Sequence, residues 1–181
     1  MAPFCRKQKV KRARSRPHVA ALLAAGVFVP ITAKLTDGQS HEVLVHRDNL
    51  PLLEQAAAGE LAARRTTFLS PFDRVFWPQR RDVRFWSFRQ ALEAYKAAPQ
   101  RQWGYFCLPI LHHDRLVGRF DPKMERGNGT LRLKALYLES GVAPEDELVH
   151  DVAAAMRDFM AFHGAHDLVV ERSVPAEIGA R

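Results

Sequence analysis

Arginines and aromatic residues are interleaved through residues 66–138 of this chain. A guanidinium group forms forked hydrogen bonds with phosphate or carboxylate, and aromatic side chains supply much of the burial energy of a small core. A nucleic-acid-binding surface needs that combination, but an ordinary aromatic core with solvated arginines at its rim has the same composition. The arginines are Arg74, Arg80, Arg81, Arg84, Arg89, Arg101, Arg115, Arg119, Arg126 and Arg132.

Three neighbouring polar residues, His112, His113 and Asp114, have side chains that can bind a metal ion. We expect adjacent histidines in a turn to point in different directions, and no third ligand follows at a regular spacing. The sequence therefore predicts no metal site. It also contains no phosphate-binding loop or glycine-rich dinucleotide turn, so we predict no cofactor. The carboxylates nearest the arginines and aromatic residues, which could position a water molecule or pair with arginine, are Asp73, Glu93 and Asp121.

The composition is that of a globular protein with one domain or two small ones, since 47% of the 181 residues are hydrophobic. No apolar run approaches the roughly 20 residues that cross a bilayer, and the basic N-terminus lacks the apolar core of a secretory signal. Cys5 and Cys107 form neither a metal-binding spacing nor a disulfide framework. Cys107 lies in an apolar run, which predicts burial. We therefore expect a cytoplasmic protein.

The net charge of +7 comes from the N-terminus. Residues 1–16 contain seven of the 27 basic residues and no acid, and the other 20 basic residues balance the 20 acids. A run of like charge is usually disordered and can act as an arm that contacts phosphate. A solubilising leader, or a start site read into unrelated sequence, would look the same. We predict a disordered basic tail over residues 1–14.

The elements before the arginine-rich stretch predict a helix followed by a hairpin. Ser15 can cap a short helix that ends at Gly26. Strands over residues 27–31 and 42–46 flank Asp37-Gly38, a favoured hairpin turn. Helix, strand, turn and strand are the closing half of a winged helix, although they are also a common structural piece. The side chains that would contact DNA from this wing are Lys34, His41, His46 and Arg47.

A second helix is predicted over residues 50–63, because this segment is rich in alanine, leucine and glutamate. Asp48 or Asn49 would cap it, and Arg64 and Arg65 would lie at its C-terminus, where the helix dipole favours cations. We expect this helix to connect the wing to the aromatic stretch.

The arginine-rich stretch itself predicts one helix and three strands. Apolar residues at helical spacing predict a helix over residues 85–98, and part of it also fits an irregular extended run. Strands follow over residues 102–111, 115–124 and 130–138, with the strong turn dipeptide Asn128-Gly129 before the last. On that last strand Arg132 and Lys134 share one face. The residues predicted on the opposite face are Leu131, Leu133, Ala135 and Tyr137.

A C-terminal helix is predicted from Pro144, with acids in its first turn and Gly164 after its end. Its apolar stripe predicts a core face rather than a ligand site, and a short strand over residues 168–170 follows. We expect the residues after Ser173 to fray. The residues of the apolar stripe are Leu148, Val152, Met156, Phe159 and His163.

Three runs of this sequence form a recognisable pattern: the run from Phe68 to Asp73, the run from Arg101 to Leu111, and the run from Asp114 to Arg119. In these runs, and from about Ser15 to Val170 overall, the sequence resembles a known family, the bacterial winged-helix DNA glycosylases that unhook interstrand crosslinks and remove alkylated purines (AlkZ/YcaQ-like). The single residues that we identify as its signature are Ser70, Pro71, Phe72, Asp73, Trp77, Glu93, Tyr95, Gly104, Tyr105, Gly118, Arg119 and Asp121.

The resemblance implies tandem winged helices around a DNA-binding channel, and hydrolysis of the N-glycosidic bond of an alkylated base without a metal or organic cofactor. The family's chemistry is attributed to two polar residues, Gln with Gln or Asp, flanking one apolar residue in its N-terminal half. Only the C-terminal half is matched here. Gln100-Arg101-Gln102 does not replace that motif, because its middle residue is arginine. The resemblance therefore assigns no catalytic residue.

We predict an α+β protein in which a partial winged helix precedes an antiparallel β-meander domain with a C-terminal helix. The predicted segments are a basic tail over 1–14, a partial winged helix with its bridging helix over 15–65, a domain over 66–173, and a frayed tail over 174–181. The predicted partner is the phosphate backbone of double-stranded DNA in the nucleoid. The residues expected to contact it are Lys34, Arg47, Arg64, Arg65, Arg74, Arg80, Arg81, Arg119, Lys123 and Arg132.

Three alternatives to an inactive, truncated glycosylase remain open on the sequence. The chain could dock on a separately encoded N-terminal half and complete a split glycosylase. It could be a DNA-binding regulator without enzymatic activity. It could also be a non-functional remnant, which poor folding in isolation would reveal.

Overall fold

The computed structural model describes residues 12–76 and 81–180. It divides into two compact units, one ending at Ala62 and the other beginning at Ala63, whereas the sequence suggests a boundary after residue 65. Residues 1–11 of the predicted tail, the signature residue Trp77 and the expected DNA contact Arg80 lie outside the described residues. No helix within the described ranges is long and apolar enough to cross a membrane.

The first unit contains a helix and a two-stranded hairpin. Helix α1 spans Arg12–Ala24, so it begins inside the segment predicted as a disordered tail and includes Pro17. Strands β1 (Phe28–Lys34) and β2 (Ser40–His46) pair antiparallel, as predicted. Gly38 in their turn has φ +75°, a conformation that glycine adopts without steric cost.

Helix α2 spans Leu50–Ala57 and is six residues shorter than predicted. Gly59 follows with φ +74°, and a glycine in this left-handed conformation commonly ends a helix. Asn49 occupies the N-cap position but makes no side-chain capping bond. Arg64 and Arg65 therefore lie in an irregular segment after the helix, not at its C-terminus as predicted.

The second unit is built on a mixed sheet with the order β3-β4-β5-β6-β7. The first four strands pair antiparallel, which matches and extends the predicted meander. The fifth strand runs parallel to β6, and β8 also pairs with β6 in parallel. These strands are β3 (Thr66–Phe68), β4 (Leu108–His112), β5 (Arg115–Glu125), β6 (Thr130–Leu138), β7 (Asp167–Val170) and β8 (Ser173–Val174).

A β-bulge interrupts the alternation of side chains along β6. Asp121 pairs with Ala135 whereas Pro122 pairs with Leu133, which leaves Lys134 as the extra residue. One inserted residue exchanges the two faces of a strand beyond it. The prediction that Ala135 and Tyr137 share one face with Leu131 and Leu133 is therefore wrong, although Ala135 is buried. The β6 residues in the core cluster that includes α4 are Leu131, Leu133, Leu136 and Leu138.

Helix α4 (Asp146–His163) covers the core face of this sheet. Its buried residues Leu148, Val152 and Met156 confirm the predicted apolar stripe as core. Gly164 has φ +67° and follows the last helical residue, as predicted. The helix connects β6 to β7, and the length of this crossover allows the two strands to run parallel.

The chain after Ser173 is ordered in the described residues, which differs from the prediction that it frays. Helix α5 spans Glu177–Ala180. Ile178 is buried in the same core cluster as the α4 stripe. This contact holds the C-terminal residues against the second unit.

Residues 87–107 are mostly irregular. Helix α3 spans only Arg81–Trp86, so the prediction of a helix over residues 85–98 is wrong, and the predicted strand over 102–111 shortens to β4. Ser87 has φ +49°, which ends the helix. The Asp82 side chain accepts a hydrogen bond from the backbone N–H of Gln90 at 2.9 Å, and this bond stabilises the change of direction.

Candidate nucleic-acid interface

Arg119 and Asp121 place the irregular segment 87–107 against the sheet face opposite α4. The two residues alternate along β5 with Phe120, which is buried in the core that α4 covers. Successive side chains of a strand point to opposite faces, so Arg119 and Asp121 point away from α4. Both side chains contact the irregular segment.

Arg119 is a buried cation between two aromatic rings. It is 1% exposed, and its guanidinium lies 4.2 Å from the ring centre of Phe88 and 4.1 Å from that of Trp103. It donates to the Arg89 carbonyl at 2.9 Å and to Glu139 Oε1 at 3.0 and 2.6 Å. The guanidinium presents no surface to a phosphate, which argues against the predicted contact between Arg119 and DNA.

Asp121 binds the backbone of the same segment. Its carboxylate accepts hydrogen bonds from the N–H groups of Tyr105 at 2.8 Å and Phe106 at 3.1 Å. A Cβ at position 104 would collide with this carboxylate, which explains why Gly104 precedes the two donors. The following residue, Cys107, is buried as predicted. Burial raises the pKa of its thiol to about 12, so the side chain stays protonated.

Glu93 is a second buried carboxylate that binds backbone N–H groups. It accepts from Gln102 and Trp103, both at 2.8 Å, and from Lys96 Nζ at 2.6 Å. Burial alone would raise the pKa of Glu93, but the hydrogen bonds from Lys96 and the backbone lower it below the usual value. The carboxylate is therefore held ionised inside the protein.

Other signature residues also shape the backbone. Gly118 faces the backbone carbonyl of Tyr137 so closely that a Cβ would collide with it. Ser70 Oγ accepts from the N–H of Phe72 at 3.2 Å, and Asp73 Oδ1 accepts from that of Val75 at 2.9 Å. Pro71 is buried in the same turn. These contacts give Gly118, Ser70 and Asp73 a structural role in the backbone around them.

Several aromatic side chains of this unit are exposed. Tyr95 is 81% exposed, Phe72 59% and Tyr105 51%. The Arg101 guanidinium lies 5.0 Å from the ring centre of Tyr105. Exposed rings with neighbouring arginines are groups on which nucleic-acid bases stack.

The expected DNA contacts fall into three groups. Arg132 is bound to Glu125 at 3.0 Å and to Glu171 at 3.3 Å, so carboxylates already occupy its guanidinium. Arg47 and Lys123 are exposed, with acids 3.7 and 3.8 Å away. Of the expected contacts within residues 12–76 and 81–180, the exposed cations that have no carboxylate within 4.0 Å are Lys34, Arg64, Arg65 and Arg74. For Arg81, only the backbone at the start of α3 is described.

Arg64, Arg65 and Arg74 flank one short strand of the second unit. The first two precede β3, and the third lies in a short 3-10 helix (Arg74–Phe76) after it. The Arg65 carbonyl accepts a hydrogen bond from the N–H of His113 at 3.0 Å, which fixes the backbone at this position. A fixed backbone with unpaired guanidiniums is suited to binding phosphate.

The structure also describes two other polar groups that stand out in the sequence, one at Gln100 and Gln102 and one at His112 and His113. Gln100 ends a short 3-10 helix (Ala98–Gln100), and the backbone N–H of Gln102 is bound to Glu93. The expectation that His112 and His113 point apart is wrong. Their rings stack with centres 4.0 Å apart, and Asp151 on α4 lies beside both. The sequence does not indicate this third residue, because α4 brings it there across 38 positions.

Comparison with known proteins places these residues in a family. A family model described as DNA glycosylase AlkZ-like matches residues 2–162, so the match extends further towards the N-terminus than residue 15. Among solved structures, Streptomyces sahachiroi DNA glycosylase AlkZ matches with 12% identity and a TM-score of 0.47, over 89% of this chain and 37% of that chain. This chain thus spans little more than a third of that protein. Because the family model covers most of its length, the chain belongs to the AlkZ-like DNA glycosylase family.

Proposed function

We propose that this chain binds double-stranded DNA through its phosphates, as the duplex-holding part of an AlkZ-like DNA glycosylase. The family match carries this proposal. The exposed guanidiniums of Arg64, Arg65 and Arg74 support it, because no described carboxylate lies within 4.0 Å of them. Contacts to phosphate supply sequence-independent affinity. Neither an organic cofactor nor a metal ion is needed for this binding.

The hairpin of the first unit fits the same role as a wing. Lys34 ends β1 and is exposed, and Arg47 directly follows β2. His41 is hydrogen-bonded to Asp37 at 2.8 Å across the turn, and His46 Nδ1 accepts from the N–H of Asp48 at 3.3 Å. We propose that α1, β1 and β2 form a partial winged helix in which the two cations, rather than the histidines, contact the duplex backbone.

We also propose that the chain alone releases no base. Cleavage of an N-glycosidic bond requires polar groups arranged around the developing cationic sugar and a water molecule. Gln100 and Gln102 flank a charged residue, Arg101, whose Nε donates to the Lys96 carbonyl at 3.0 Å. The signature carboxylates Glu93 and Asp121 are occupied by backbone N–H groups. In this proposal Glu93 and Asp121 stabilise the fold and do not form a hydrolytic centre.

Two measurements on the purified full-length chain test the proposal. Fluorescence anisotropy of a labelled duplex is expected to show saturable binding at low salt that weakens as salt increases. Incubation of excess protein with duplex containing an alkylated purine is expected to release no free base above the rate without protein. Absence of binding at low salt would refute the duplex-holding role. Release of base would refute the claim of inactivity, with an active DNA glycosylase as the positive control.

One observation favours a second candidate, an interaction module that completes a split glycosylase. No residue among 15–62 is buried, so the described part of the first unit has no interior of its own. Leu44 is 41% exposed and Leu52 57%. Exposed apolar surface of this kind marks an interface, and the occupant we propose is a separately encoded polypeptide with the N-terminal part of an AlkZ-like protein.

Sedimentation tests this candidate. The N-terminal remainder of an AlkZ-like relative, expressed separately, is expected to form a one-to-one complex with the chain. Leu52→Lys is expected to weaken the complex, whereas Leu168→Lys, at an exposed position of the second unit, serves as the matched control. Independent sedimentation of the two polypeptides would exclude the interaction.

A further inference from the structure

The second unit brings two imidazoles and one carboxylate together at the end of β4. His112 is the last residue of β4, His113 begins the following turn with φ +55°, and Asp151 lies on α4. One ligand atom from each residue lies within 4.8 Å of those of the other two. All three side chains are partly buried, with exposures of 15%, 29% and 28%.

The distances fit a transition-metal ion. Asp151 Oδ2 lies 3.4 Å from His113 Nε2 and 3.7 Å from His112 Nδ1. Ligands at zinc lie at about 2.0–2.2 Å, and two such ligands in a tetrahedral site are separated by roughly 3.4 Å. The two distances from the carboxylate to the imidazole nitrogens are therefore already close to the separation of two ligand atoms in a tetrahedral zinc site.

We propose that His112, His113 and Asp151 bind one divalent transition-metal ion of the Zn²⁺ class. Two imidazole nitrogens and one carboxylate oxygen form a ligand set that zinc accepts, and three protein ligands leave a fourth position to water. Mg²⁺ prefers oxygen ligands only and is excluded by the same chemistry. The ion would link α4 to the turn between β4 and β5.

The charges around His112 favour a bound cation. Burial, followed by the neighbouring His113, lowers the pKa of His112, so its imidazole stays neutral, which is the form that binds metal. Asp151 supplies a negative charge, and Glu147 on α4 adds a second close enough to act on His112. The positive charge of Arg115 acts on the same imidazole in the opposite direction to these two carboxylates.

Binding requires a small local change. The two rings are stacked with planes inclined by 24°, so their nitrogen lone pairs point nearly side by side. His113, the more exposed ring, must rotate for both nitrogens to face one ion. His112 Nδ1 is hydrogen-bonded to Thr66 Oγ1 at 2.9 Å, and the ion displaces that hydroxyl.

Calorimetric titration with Zn²⁺ tests the proposal. The protein is the full chain without a histidine tag, with Cys5→Ser so that this thiol cannot bind the ion. We expect one Zn²⁺ per chain, no comparable binding of Mg²⁺, and a melting temperature raised by roughly 5–10 °C at about 100-fold excess of Zn²⁺ over Kd.

Three variants locate the site. His113→Asn and Asp151→Asn are each expected to weaken Zn²⁺ binding by at least about 10-fold, and asparagine tolerates the positive φ at position 113. His166→Asn is the matched control, because His166 is paired with an aspartate at 3.1 Å but belongs to no group of three potential ligands among the described residues. Circular dichroism establishes that each variant is folded. Lack of saturable Zn²⁺ binding by the parent, or equal binding by all three variants, would overturn the proposal.

Discussion

The two units of this chain differ in how their charged and apolar residues are used. The second unit has a continuous apolar core and also buries Arg119, Glu93 and Asp121. In the first unit no residue among 15–62 is buried, and Leu52 is 57% exposed. The second unit therefore has a core of its own, whereas the described part of the first unit has none.

This difference changes the interpretation of the family signature. Several of its residues lie inside the second unit, where they hold the irregular segment 87–107 on the sheet. Buried polar groups are tolerated when they are fully paired, and Arg119 and Asp121 satisfy that condition. The residues that we propose to contact DNA are instead exposed cations such as Arg64 and Arg65, which lie outside the signature.

The largest effect should come from removing the buried guanidinium. Arg119→Met leaves Glu139 and the Arg89 carbonyl without their donor, and we expect a loss of about 4 kcal/mol in the free energy of unfolding. Urea denaturation followed by tryptophan fluorescence measures it, since Trp103 stacks on the guanidinium. Arg157→Met, at an exposed position on α4, is the control and should change stability by less than about 0.5 kcal/mol. Equal stability of the two variants would show that Arg119 is not a structural cation.

A matched pair of leucine substitutions tests the contrast between the units directly. Leu133 is 1% exposed in the sheet and Leu52 is 57% exposed in the first unit. Leu133→Ala should cost about 3 kcal/mol, because it leaves a cavity. Leu52→Ala should cost no more than about 0.5 kcal/mol. Thermal unfolding of the two variants provides the comparison, and similar losses would mean that the first unit has an interior after all.

Asp121→Asn should have an intermediate effect. The amide oxygen can still accept a hydrogen bond, but its NH₂ group opposes one of the N–H donors of Tyr105 and Phe106. We expect a loss of about 2 kcal/mol. Hydrogen exchange should show faster exchange of those two amides in particular. Unchanged protection of both amides would contradict the assigned role of the carboxylate.

The smallest effect concerns the pH dependence of stability. The folded-state pKa of Glu93 is lowered from 4.5, so its contribution is present above the unfolded pKa and is lost as pH falls through the folded value. Glu93→Gln removes that contribution. Below about pH 4.5 the free energy of unfolding should therefore fall less steeply in the variant than in the parent. Parallel pH profiles would indicate that the Glu93 pKa is not shifted by folding.

The sequence predicts the regular strands well and the irregular segment poorly. The bounds of β6 were predicted correctly, because a turn dipeptide precedes an alternating run. The helix expected over residues 85–98 does not form, because the chain changes direction after Ser87. There Asp82 binds the N–H of Gln90, and Arg119, from a distant strand, binds the carbonyl of Arg89. Local sequence periodicity does not indicate such bonds between distant residues. The bulge at Lys134 could not be predicted either. Leucines lie at odd-numbered positions before it and at even-numbered positions after it, so the sequence does not show which residues share a face.

Part of the proposed DNA-contact set could be refined from sequence alone. Arg119 lies between Gly118 and Phe120 in an apolar run, with Asp121 two positions further. A charge in a strand that is apolar on both sides indicates a buried, paired group, and this signal separates Arg119 from solvated arginines. The partners of Arg132 are Glu125 at the end of β5 and Glu171 directly after β7, and only the structure reveals them.

The salt dependence of duplex binding tests the central claim most directly. Arg64→Gln with Arg65→Gln is compared with Arg126→Gln with Arg157→Gln, which removes the same charge at exposed positions of the second unit. If Arg64 and Arg65 contact phosphates, the first variant should weaken binding and reduce the slope of log affinity against log salt by about 1.8, while the second retains the parent slope. Identical slopes and affinities in both variants would contradict DNA binding through these arginines.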